Sequence, residues 1–350
     1  MPPSHDADRF CREMLPSVSR TFALSIRFLP GNLGRTVGVA YLICRIADTV
    51  EDDGTADVPA KTEALDALLR AFDGPAQVDA FRESAAWVQG DARHVELVRR
   101  SDLVFEVFRS LPVRSQDRVR HWVAEMVRGM KKFVVLYPRG IRIQTMEEYR
   151  EYCYYVAGTV GNLLTDLWHQ YAPSIGPAKY RELGTRSVAF GEALQTVNIL
   201  RDIAWDAEHE NSIYIPAESL REHGSSHQTL LSSAHESRNH AAISGFIDLA
   251  WHDLDEALEY TLTIPRRAVA IRAFCILPLL FAYASLRDLS KSRGMLRPGG
   301  AVKISRAEVK ALMLVGPLLL LSNAGLRWLV AKVRARPVTL WRRAPQVATG

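Results

Sequence analysis

Helical periodicity is the feature that most restricts what this chain can fold into. Apolar residues recur at spacings of three and four along most of the sequence, while the alternating pattern typical of strands is nearly absent. Short clusters of Gly and Pro interrupt the periodic windows and leave about ten helical segments between them. The breaks fall at Pro30-Gly31, Gly54, Asp73-Gly74-Pro75, Leu111-Pro112, Tyr137-Pro138, Pro173 to Pro177 and Leu296 to Gly300.

The domain organisation follows from the absence of any long break. No segment is long enough, or low enough in complexity, to act as a linker, and no repeat of solenoid period is present. The sequence therefore predicts one all-α domain over residues 1–350. It would have a helical core from about residue 10 to about residue 325, followed by a basic tail at residues 326–350.

Composition says more about the compartment than about the chemistry. The 350 residues are 48% hydrophobic with a net charge of +5, which fits an anionic substrate or an anionic membrane and decides between neither. The four cysteines form no CxxC pair, which favours buried thiols in a reducing cytosol. The polar start from Met1 to Asp8 lacks the pattern of a secretory signal. We expect a cytoplasmic monomer without a nucleic-acid partner.

The C-terminal part combines an apolar run with a basic one. The run from Ala311 to Leu321 falls well short of the roughly 20 residues that cross a bilayer, so we predict a buried helix. Basic residues interleaved with tryptophan follow it. They are Arg327, Lys332, Arg334, Arg336, Arg342 and Arg343, with Trp328 and Trp341. This tail is either solvated or a peripheral contact with a membrane surface.

Carboxylates recur at helical spacing in the segment from Arg45 to Asp53. Asp48 and Asp52 are four residues apart and therefore lie on one face of a helix, with Glu51 one turn from Asp48. The residues just before them are mostly apolar, which predicts that this helix is buried. Clustered carboxylates on a buried face are costly unless a cation neutralises them.

A second segment repeats this pattern. Asn198, Asp202 and Asp206 follow one another at four-residue steps, with Gln195 one turn earlier and Arg201 beside Asp202. Oxygen ligands of this kind suit a hard divalent ion such as Mg²⁺, with Mn²⁺ as an alternative. One such series arises by chance on solvated helix faces. Two series in apolar helices, each with an Arg within one turn, indicate a specific ligand.

The chemistry that explains both series is the departure of a diphosphate. A divalent ion would link the carboxylates to the diphosphate and offset its charge, and arginine would add further contacts. The cavity beside this site must hold a hydrocarbon cation and exclude water. The predicted metal ligands are Asp48, Glu51, Asp52, Asn198, Asp202 and Asp206.

Four segments in combination resemble the squalene and phytoene synthase family, from about Met14 to about Met313. In order they resemble its diphosphate-contacting segment, its first aspartate motif, its central helix and its second aspartate motif. The segments are Ser19-Arg20-Thr21-Phe22, Arg45 to Asp53, Tyr152 to Gly161 and Gln195 to Asp206. The resemblance implies a single-domain helical bundle of the isoprenoid-synthase type around a central active-site cavity.

The resemblance also implies roles for individual residues. Tyr152 would handle a proton or stabilise a cation, although by itself it would be read as an ordinary core tyrosine. Val156, Val160 and Leu164 would line a tunnel for a farnesyl tail, a role physically close to core packing. The catalytic set would be Tyr152, Asp48, Asp52, Asp202 and Asp206. The substrate contacts would include Ser19, Arg20, Thr21, Phe22, Arg45, Gln195, Asn198 and Arg201.

Two later segments favour the squalene synthase branch over the carotenoid branch. Phe274 to Pro278 resembles its Phe-Cys-x-x-Pro segment, and Ala301 to Arg306 resembles a basic segment associated with NADPH. No GxGxxG motif follows a strand, so a nicotinamide site here would not be of the Rossmann type. The implied cofactor contacts are Phe274, Pro278, Lys303 and Arg306.

Three positions depart from the family pattern. The segment from Asn211 to Pro216 lacks an arginine that the family often carries there, and Trp205 replaces an acidic residue. Leu279 stands where a glutamine is common. The missing arginine makes the phosphate contacts of the second half-reaction the part that the resemblance describes least well.

The implied reaction joins two farnesyl diphosphates head to head through presqualene diphosphate, which NADPH then reduces to squalene. One alternative is an enzyme of the same family that omits the reduction and makes dehydrosqualene, phytoene or hydroxysqualene. A terpene cyclase is disfavoured, because the Ser19 to Phe22 and Tyr152 to Gly158 segments have no place in one. A non-catalytic helical assembly factor would be free to lose its aspartates, and this chain retains both series.

Overall fold

The computed structural model describes residues 3–292, 294–297 and 302–339, without the side chain of Arg20. This part of the chain contains seventeen α-helices. Their bounds are α1 His5–Val18, α2 Arg20–Ile26, α3 Gly31–Glu51, α4 Val58–Arg70, α5 Pro75–Ser84, α6 Ala92–Arg99, α7 Ser101–Arg109, α8 Val113–Leu136, α9 Met146–Cys153, α10 Thr159–Tyr171, α11 Pro177–Gly184, α12 Ser187–Trp205, α13 Ala217–Glu222, α14 Glu236–Thr263, α15 Val269–Lys291, α16 Arg306–Leu318 and α17 Asn323–Ala335.

The prediction of an all-α fold is confirmed. Over the described ranges the only β-pairing is one isolated bridge between Arg142 and Ile213. The helices are more numerous than predicted because several short ones meet without Gly or Pro. Between α6 and α7, for example, only Arg100 intervenes. Two π-helical segments, Tyr154–Gly158 and Asp206–Glu210, continue α9 and α12.

The core is built from long helices that enclose a central cavity. Helix α12 packs against α10, α14 and α15, while α3 packs against α8 and α10. Among the described helices, α15 alone is long and apolar enough to cross a membrane, yet 83% of its most apolar stretch is buried in the protein. An apolar helix covered on nearly all sides is a core helix, and α15 has that place here.

Helices α10 and α12 approach each other closely because glycine faces backbone on both sides. A Cβ atom on Gly161 would lie 1.9 Å from the carbonyl oxygen of Ser187, and one on Gly191 would lie 2.0 Å from that of Ala157. Only glycine fits at such distances. This contact joins the apolar residues of α10 to the polar residues of α12 in one cavity wall.

The C-terminal helices are joined to the core by a buried ion pair. Arg287 of α15 donates to both carboxylate oxygens of Glu308 on α16, at 2.8 and 2.9 Å, and to the carbonyl of Val333 on α17. Helix α17 buries an apolar face, so the predicted start of the tail at residue 326 falls inside a packed helix. The predicted basic residues Arg342 and Arg343, with Trp341, lie outside the described residues.

The prediction of a buried helix over residues 311–321 is wrong for one face. Helix α16 buries Ala311 and Leu312, but Leu314, Leu318 and Leu321 are 58%, 81% and 63% exposed. The run is therefore amphipathic, with large apolar side chains on its outer side.

Candidate active site

An apolar cavity of about 970 Å³ lies between α2, α3, α8, α10, α12 and α15. The predicted tunnel residues Val156, Val160 and Leu164 line it, together with Phe22 and Phe274. The first of these lies in the π-helical segment Tyr154–Gly158, a type of turn that is frequent at functional sites. The cavity has the apolar lining expected for a hydrocarbon chain.

Polar side chains line one end of this cavity. Arg45 and Asp48 reach it from α3, and Gln195 and Asn198 reach it from α12. Arg45 lies 3.5 Å from the Asp48 carboxylate and donates to the hydroxyl of Tyr41 at 3.1 Å. Its Nε is buried without a partner among the described residues, so part of this guanidinium is available to an anion.

The end of α3 carries two further carboxylates, Glu51, which is buried, and Asp52, which is exposed at the rim of the site. Burial, followed by the neighbouring charges of Asp52 and Asp48, raises the pKa of Glu51 well above its ordinary value. Partial desolvation at the rim, followed by the facing carboxylate of Glu210, raises the pKa of Asp52. One oxygen of Glu51 is buried without a hydrogen-bond partner in the described structure. Such groups are costly unless a cation reaches them.

The end of α12 presents its carboxylates toward those of α3. Arg201 contacts Asp202 twice, at 3.0 Å from Nε and 2.5 Å from Nη2. Burial and then the charges of Asp202 and Asp52 raise the pKa of Asp206 to about 8. The two predicted aspartate series therefore face each other across one site.

Glu210 is a member of this cluster that the sequence interpretation missed. It lies at the end of the π-helix Asp206–Glu210, and burial followed by the charges of Asp206 and Glu51 raises its pKa to about 8. A signal was present in the sequence, because Glu210 continues the four-residue steps of Asn198, Asp202 and Asp206.

The chemistry of this donor set fits a hard divalent cation. In the part of the chain that the structure describes, no three His, Cys, Asp or Glu side chains converge as a ready-made metal site. The facing carboxylates nonetheless include an unpartnered buried oxygen on Glu51, and their mutual charges raise one another's pKa. Proteins usually bind Mg²⁺ through one or two carboxylates, together with phosphate oxygens of the substrate. The predicted ligands Asp48, Glu51, Asp52, Asn198, Asp202 and Asp206 lie on the two ends that face each other.

Tyr152 lies beside the carboxylates of α3 and away from the tunnel wall. Its ring stacks on Tyr214 with 4.9 Å between centroids and meets Phe133 edge to face at 5.1 Å. Burial, followed by the charge of Glu51, raises the pKa of its hydroxyl well above the ordinary value. Tyr152 therefore keeps its proton over the physiological pH range.

A larger groove of about 1,770 Å³ continues from the cavity past Phe22, Tyr41, Arg45 and Asn198, which line both. It brings together the remaining predicted contacts, although Phe274 lies in the cavity and the side chain of Arg20 lies outside the described residues. The predicted residues in the groove are Ser19, Thr21, Phe22, Arg45, Asn198, Arg201, Asp202, Pro278, Lys303 and Arg306.

A third space, of about 750 Å³, lies on the other side of Glu51 and Asp52. Lys61 and Arg139 line it beside Glu210. Lys61 donates to the backbone carbonyl of Glu51 at 2.6 Å. Sequence reasoning missed both basic residues, since neither belongs to a series or a recognised segment.

The structure also accounts for the position where an arginine is missing. Ser212 is buried, accepts from the backbone N–H of Ile141 and donates to the carbonyl of Glu210. The guanidinium of Arg142 instead contacts Asn211, which adopts a left-handed conformation with φ of 49°. Gly140 has φ of 102° and lies too close to Asn211 for any Cβ. Arg142, which lies outside the segment from Asn211 to Pro216, thus fixes the start of that segment through its contacts with Asn211.

An all-α fold with two facing carboxylate helices at the polar end of an apolar cavity defines the class of isoprenoid-synthase-type helical proteins. Comparison with known families narrows this class. The family described as squalene/phytoene synthase matches residues 15–308, and the chain belongs to this family of prenyltransferases.

Individual relatives show how near the resemblance is. The squalene synthase of Schizosaccharomyces pombe is 28% identical over 306 residues, which cover 85% of this chain and 64% of that protein. Two solved structures have a fold similar to that of this chain. A TcSQS complex has a TM-score of 0.74 at 23% identity, covering 94% of this chain and 98% of its own. A dehydrosqualene synthase has a TM-score of 0.53 at 19% identity, covering 94% and 96%.

Proposed function

We propose that this chain is a single-domain prenyltransferase that condenses two farnesyl diphosphates to presqualene diphosphate and reduces that product to squalene with NADPH. The observation that carries the proposal is the meeting of two carboxylate-bearing helices, α3 and α12, at the polar end of an apolar cavity. The relatives named squalene synthases support the same reaction.

The polar end binds the diphosphates. Arg45 has an unpartnered buried N–H, and Arg201 lines the adjoining groove, so each can donate to phosphate oxygens. Asp48, Glu51, Asp52, Asn198, Asp202 and Asp206 would hold a divalent ion, which would supply charge neutralisation for the departing diphosphate. The apolar cavity receives the farnesyl chains and excludes water from the carbocation.

The first half-reaction forms two carbon–carbon bonds and one O–H bond on the diphosphate, and it breaks a C1–O bond, the C2–C3 π bond and one C–H bond. The C1–O bond of one farnesyl diphosphate breaks, and its C1 joins the C2–C3 double bond of the other. Loss of a proton then closes the cyclopropane ring. Because Tyr152 stays protonated, its hydroxyl positions the released diphosphate, which accepts that proton.

The second half-reaction needs a hydride at a carbon that water would otherwise capture. Lys303 and Arg306 line the outer part of the groove and form no ion pair among the described residues, so they fit the phosphate of a dinucleotide. NADPH bound there would supply the hydride. Pro278 and Phe274, one helical turn apart on α15, form the apolar wall between groove and cavity.

The deciding experiment is product analysis from farnesyl diphosphate and Mg²⁺, with and without NADPH. We expect squalene with NADPH, and presqualene diphosphate or unreduced or hydroxylated products without it. Lys303→Ala should raise the Michaelis constant for NADPH and leave presqualene diphosphate formation nearly unchanged. A product that is the same with and without NADPH would place the chain in the branch of the family that omits the reduction. The likeness to the fold of a dehydrosqualene synthase is compatible with that outcome. Absence of any turnover would favour the assembly-factor alternative.

The proposal includes a cellular setting. We propose a monomer in the cytosol that meets the membrane at its surface. The four cysteines are all free, as expected for a reducing compartment.

A further inference from the structure

The third space, which lies beyond Glu51 and Asp52, is lined by charged side chains of both signs. Glu51, Asp52 and Glu210 contribute carboxylates, while Lys61 and Arg139 contribute cations. Among the described residues, neither cation forms an ion pair with any of these carboxylates. Opposite charges that line one space normally pair with each other. A space that keeps them apart fits a ligand that itself carries charges of both signs.

The loop that carries Arg139 is attached to the end of the π-helix Asp206–Glu210. The side-chain amide of Asn211 donates to the carbonyl of Arg139, and the N–H of Gly140 donates to the carbonyl of Tyr137 at 3.2 Å. These contacts fix the backbone from which the Arg139 side chain extends. Its guanidinium is exposed and makes no hydrogen bond to any described residue, so its N–H groups can donate to a ligand.

Lys61 offers a second cation, closer to the carboxylates. Its side chain is half-buried, and its ammonium donates to the backbone carbonyl of Glu51 at 2.6 Å, at the end of α3. An ammonium has further N–H groups, which remain for an anionic oxygen. The third space therefore has one cation beside the carboxylate cluster and another, Arg139, at its exposed side.

The other two spaces suit the departure of a diphosphate poorly. The cavity is apolar, and a multiply charged anion is costly to bury there without compensation. The groove contains Lys303 and Arg306, the contacts proposed for the dinucleotide. The residues that line the third space line neither the cavity nor the groove. It therefore offers a released diphosphate a separate polar way to solvent.

We propose that the third space is the release site for inorganic diphosphate, and that Arg139 binds this anion after it has left the carbon skeleton. Lys61, at the end of α3, contacts the diphosphate before its departure as well as after it. The carboxylates in the same space suit the divalent ion that accompanies a diphosphate in solution. The inference rests on the proposed function, because that reaction supplies the diphosphate.

The test is calorimetry of the full chain with inorganic diphosphate at saturating Mg²⁺. Arg139→Gln should raise the dissociation constant about tenfold, because a charge-assisted contact is lost, and Arg139→Lys should restore part of the affinity. The difference between Arg139→Gln and the unaltered chain should shrink with added salt, since this guanidinium is exposed. Arg128→Gln is the control, because it removes an arginine that is 66% exposed and whose ion-pair partner is Glu125 of the same helix.

Inhibition kinetics adds a readout that a purely structural role would not change. In Arg139→Gln the inhibition constant for inorganic diphosphate should rise by the same factor, while the Michaelis constant for farnesyl diphosphate stays unchanged. The proposal is wrong if Arg139→Gln, with an unchanged melting curve, binds diphosphate as tightly as Arg128→Gln. It is also wrong if the two constants rise together, because Arg139 would then contact the substrate.

The calorimetry contains neither farnesyl diphosphate nor NADPH, so its outcome is separate from that of the product analysis. A chain that makes no squalene, but loses affinity for diphosphate in Arg139→Gln, would refute the proposed reaction and retain the site. A chain that makes squalene, and binds diphosphate equally well with Arg139→Gln, would refute the release site alone.

Discussion

The ends of α3 and α12 begin from the same sequence pattern and reach different electrostatic arrangements. On α12, Arg201 contacts both oxygens of the Asp202 carboxylate, so this pair is largely neutralised within the helix. On α3, Arg45 makes one contact with Asp48 at 3.5 Å and directs another N–H to a tyrosine hydroxyl. The carboxylates of Glu51 and Asp52, at the end of α3, form no ion pair with an arginine among the described residues.

This difference indicates which side of the site depends more on an external cation. Glu51 is buried and Asp52 lies beside it at the rim, both among other carboxylates, and the nearby Lys61 donates to the backbone carbonyl of Glu51 instead of its side chain. Equal spacing in the sequence therefore does not make the two series equivalent. We expect α3 to be the more sensitive half of the site.

The largest expected effect is the loss of turnover in Asp52→Asn and Asp202→Asn. Each variant removes a carboxylate charge from the proposed ion site, and we expect the rate to fall on the order of 10² to 10³-fold. The fall should be larger for Asp52→Asn. The charge of Asp202 is already partly neutralised by its hydrogen bonds with Arg201, whereas no arginine is hydrogen-bonded to Asp52 among the described residues. Steady-state kinetics at saturating Mg²⁺ measures both. Near-normal turnover by either variant would contradict the assignment.

Asp53 provides the matched control for this comparison. Its carboxylate accepts N–H bonds from Thr55, Ala56 and Gln89 and fixes the turn after α3. Burial alone would raise the pKa of Asp53, but these hydrogen bonds to the carboxylate outweigh that effect, so the pKa is lowered. Asp53→Asn should therefore cost about 1 to 2 kcal/mol of unfolding free energy and leave the turnover of the folded enzyme nearly intact.

Removal of the Tyr152 hydroxyl should have the next largest effect. This residue lies on the α3 side, and Tyr152→Phe should slow presqualene diphosphate formation about 10 to 10²-fold, the range typical of a positioned proton-handling group. Tyr149→Phe is the control, because its buried hydroxyl donates to Thr196 at 3.0 Å, away from the carboxylates of α3, and serves the fold. Equal rates for the two variants in a single-turnover assay would remove Tyr152 from the mechanism.

Lys61 tests whether the space beyond Glu51 contacts the substrate. We expect Lys61→Gln to raise the Michaelis constant for farnesyl diphosphate about tenfold, since a charge-assisted phosphate contact is lost. Lys61→Arg should restore most of it. Lys131→Gln, which removes a partly exposed partner of Asp66, should leave that constant unchanged. If Lys61 only caps α3, its variants would lower stability without changing the Michaelis constant.

The smallest effect concerns stability in the absence of divalent ions. The pKa of Glu210 is raised to about 8, whereas an unfolded Glu titrates at about 4.3. Between these values the folded chain retains a proton that the unfolded chain has lost. The free energy of unfolding should therefore fall as the pH rises from about 5 to about 8.

Glu210→Gln should flatten this slope and raise the free energy of unfolding at pH 8 by on the order of 1 kcal/mol. Chemical denaturation over a pH series measures the change, with Glu208→Gln as the exposed control on the same π-helix. Identical slopes for Glu210→Gln and the unaltered chain would show that Glu210 is not part of the cluster.

The sequence predicted the fold class well because its strongest signal is local. Helical periodicity and the breaks at Gly and Pro depend on neighbouring residues, and they placed Pro30 at the start of α3 and Gly74 between α4 and α5. The outward face of α16 was misjudged because composition does not tell which side of an apolar helix is covered. Leu318 is as apolar as Leu312, and only the tertiary structure separates them.

The candidate site was predicted where it follows a helical series and missed where it does not. Asp48, Asp52, Asp202 and Asp206 share four-residue spacings, so their faces could be read directly. Lys61 reaches the site from α4, and no local pattern connects it to residues ten or more positions away. The π-helix that carries Glu210 likewise depends on tertiary contacts.

The most direct test of a single shared site is a double-mutant cycle for the binding of inorganic diphosphate, measured by calorimetry with and without Mg²⁺. The variants are Asp52→Asn, Asp202→Asn and their combination. We predict binding only when Mg²⁺ is present, a large loss in each single variant, and little further loss in the double variant, because both helices serve one ion cluster. Losses that simply add, or binding that does not need Mg²⁺, would contradict the account.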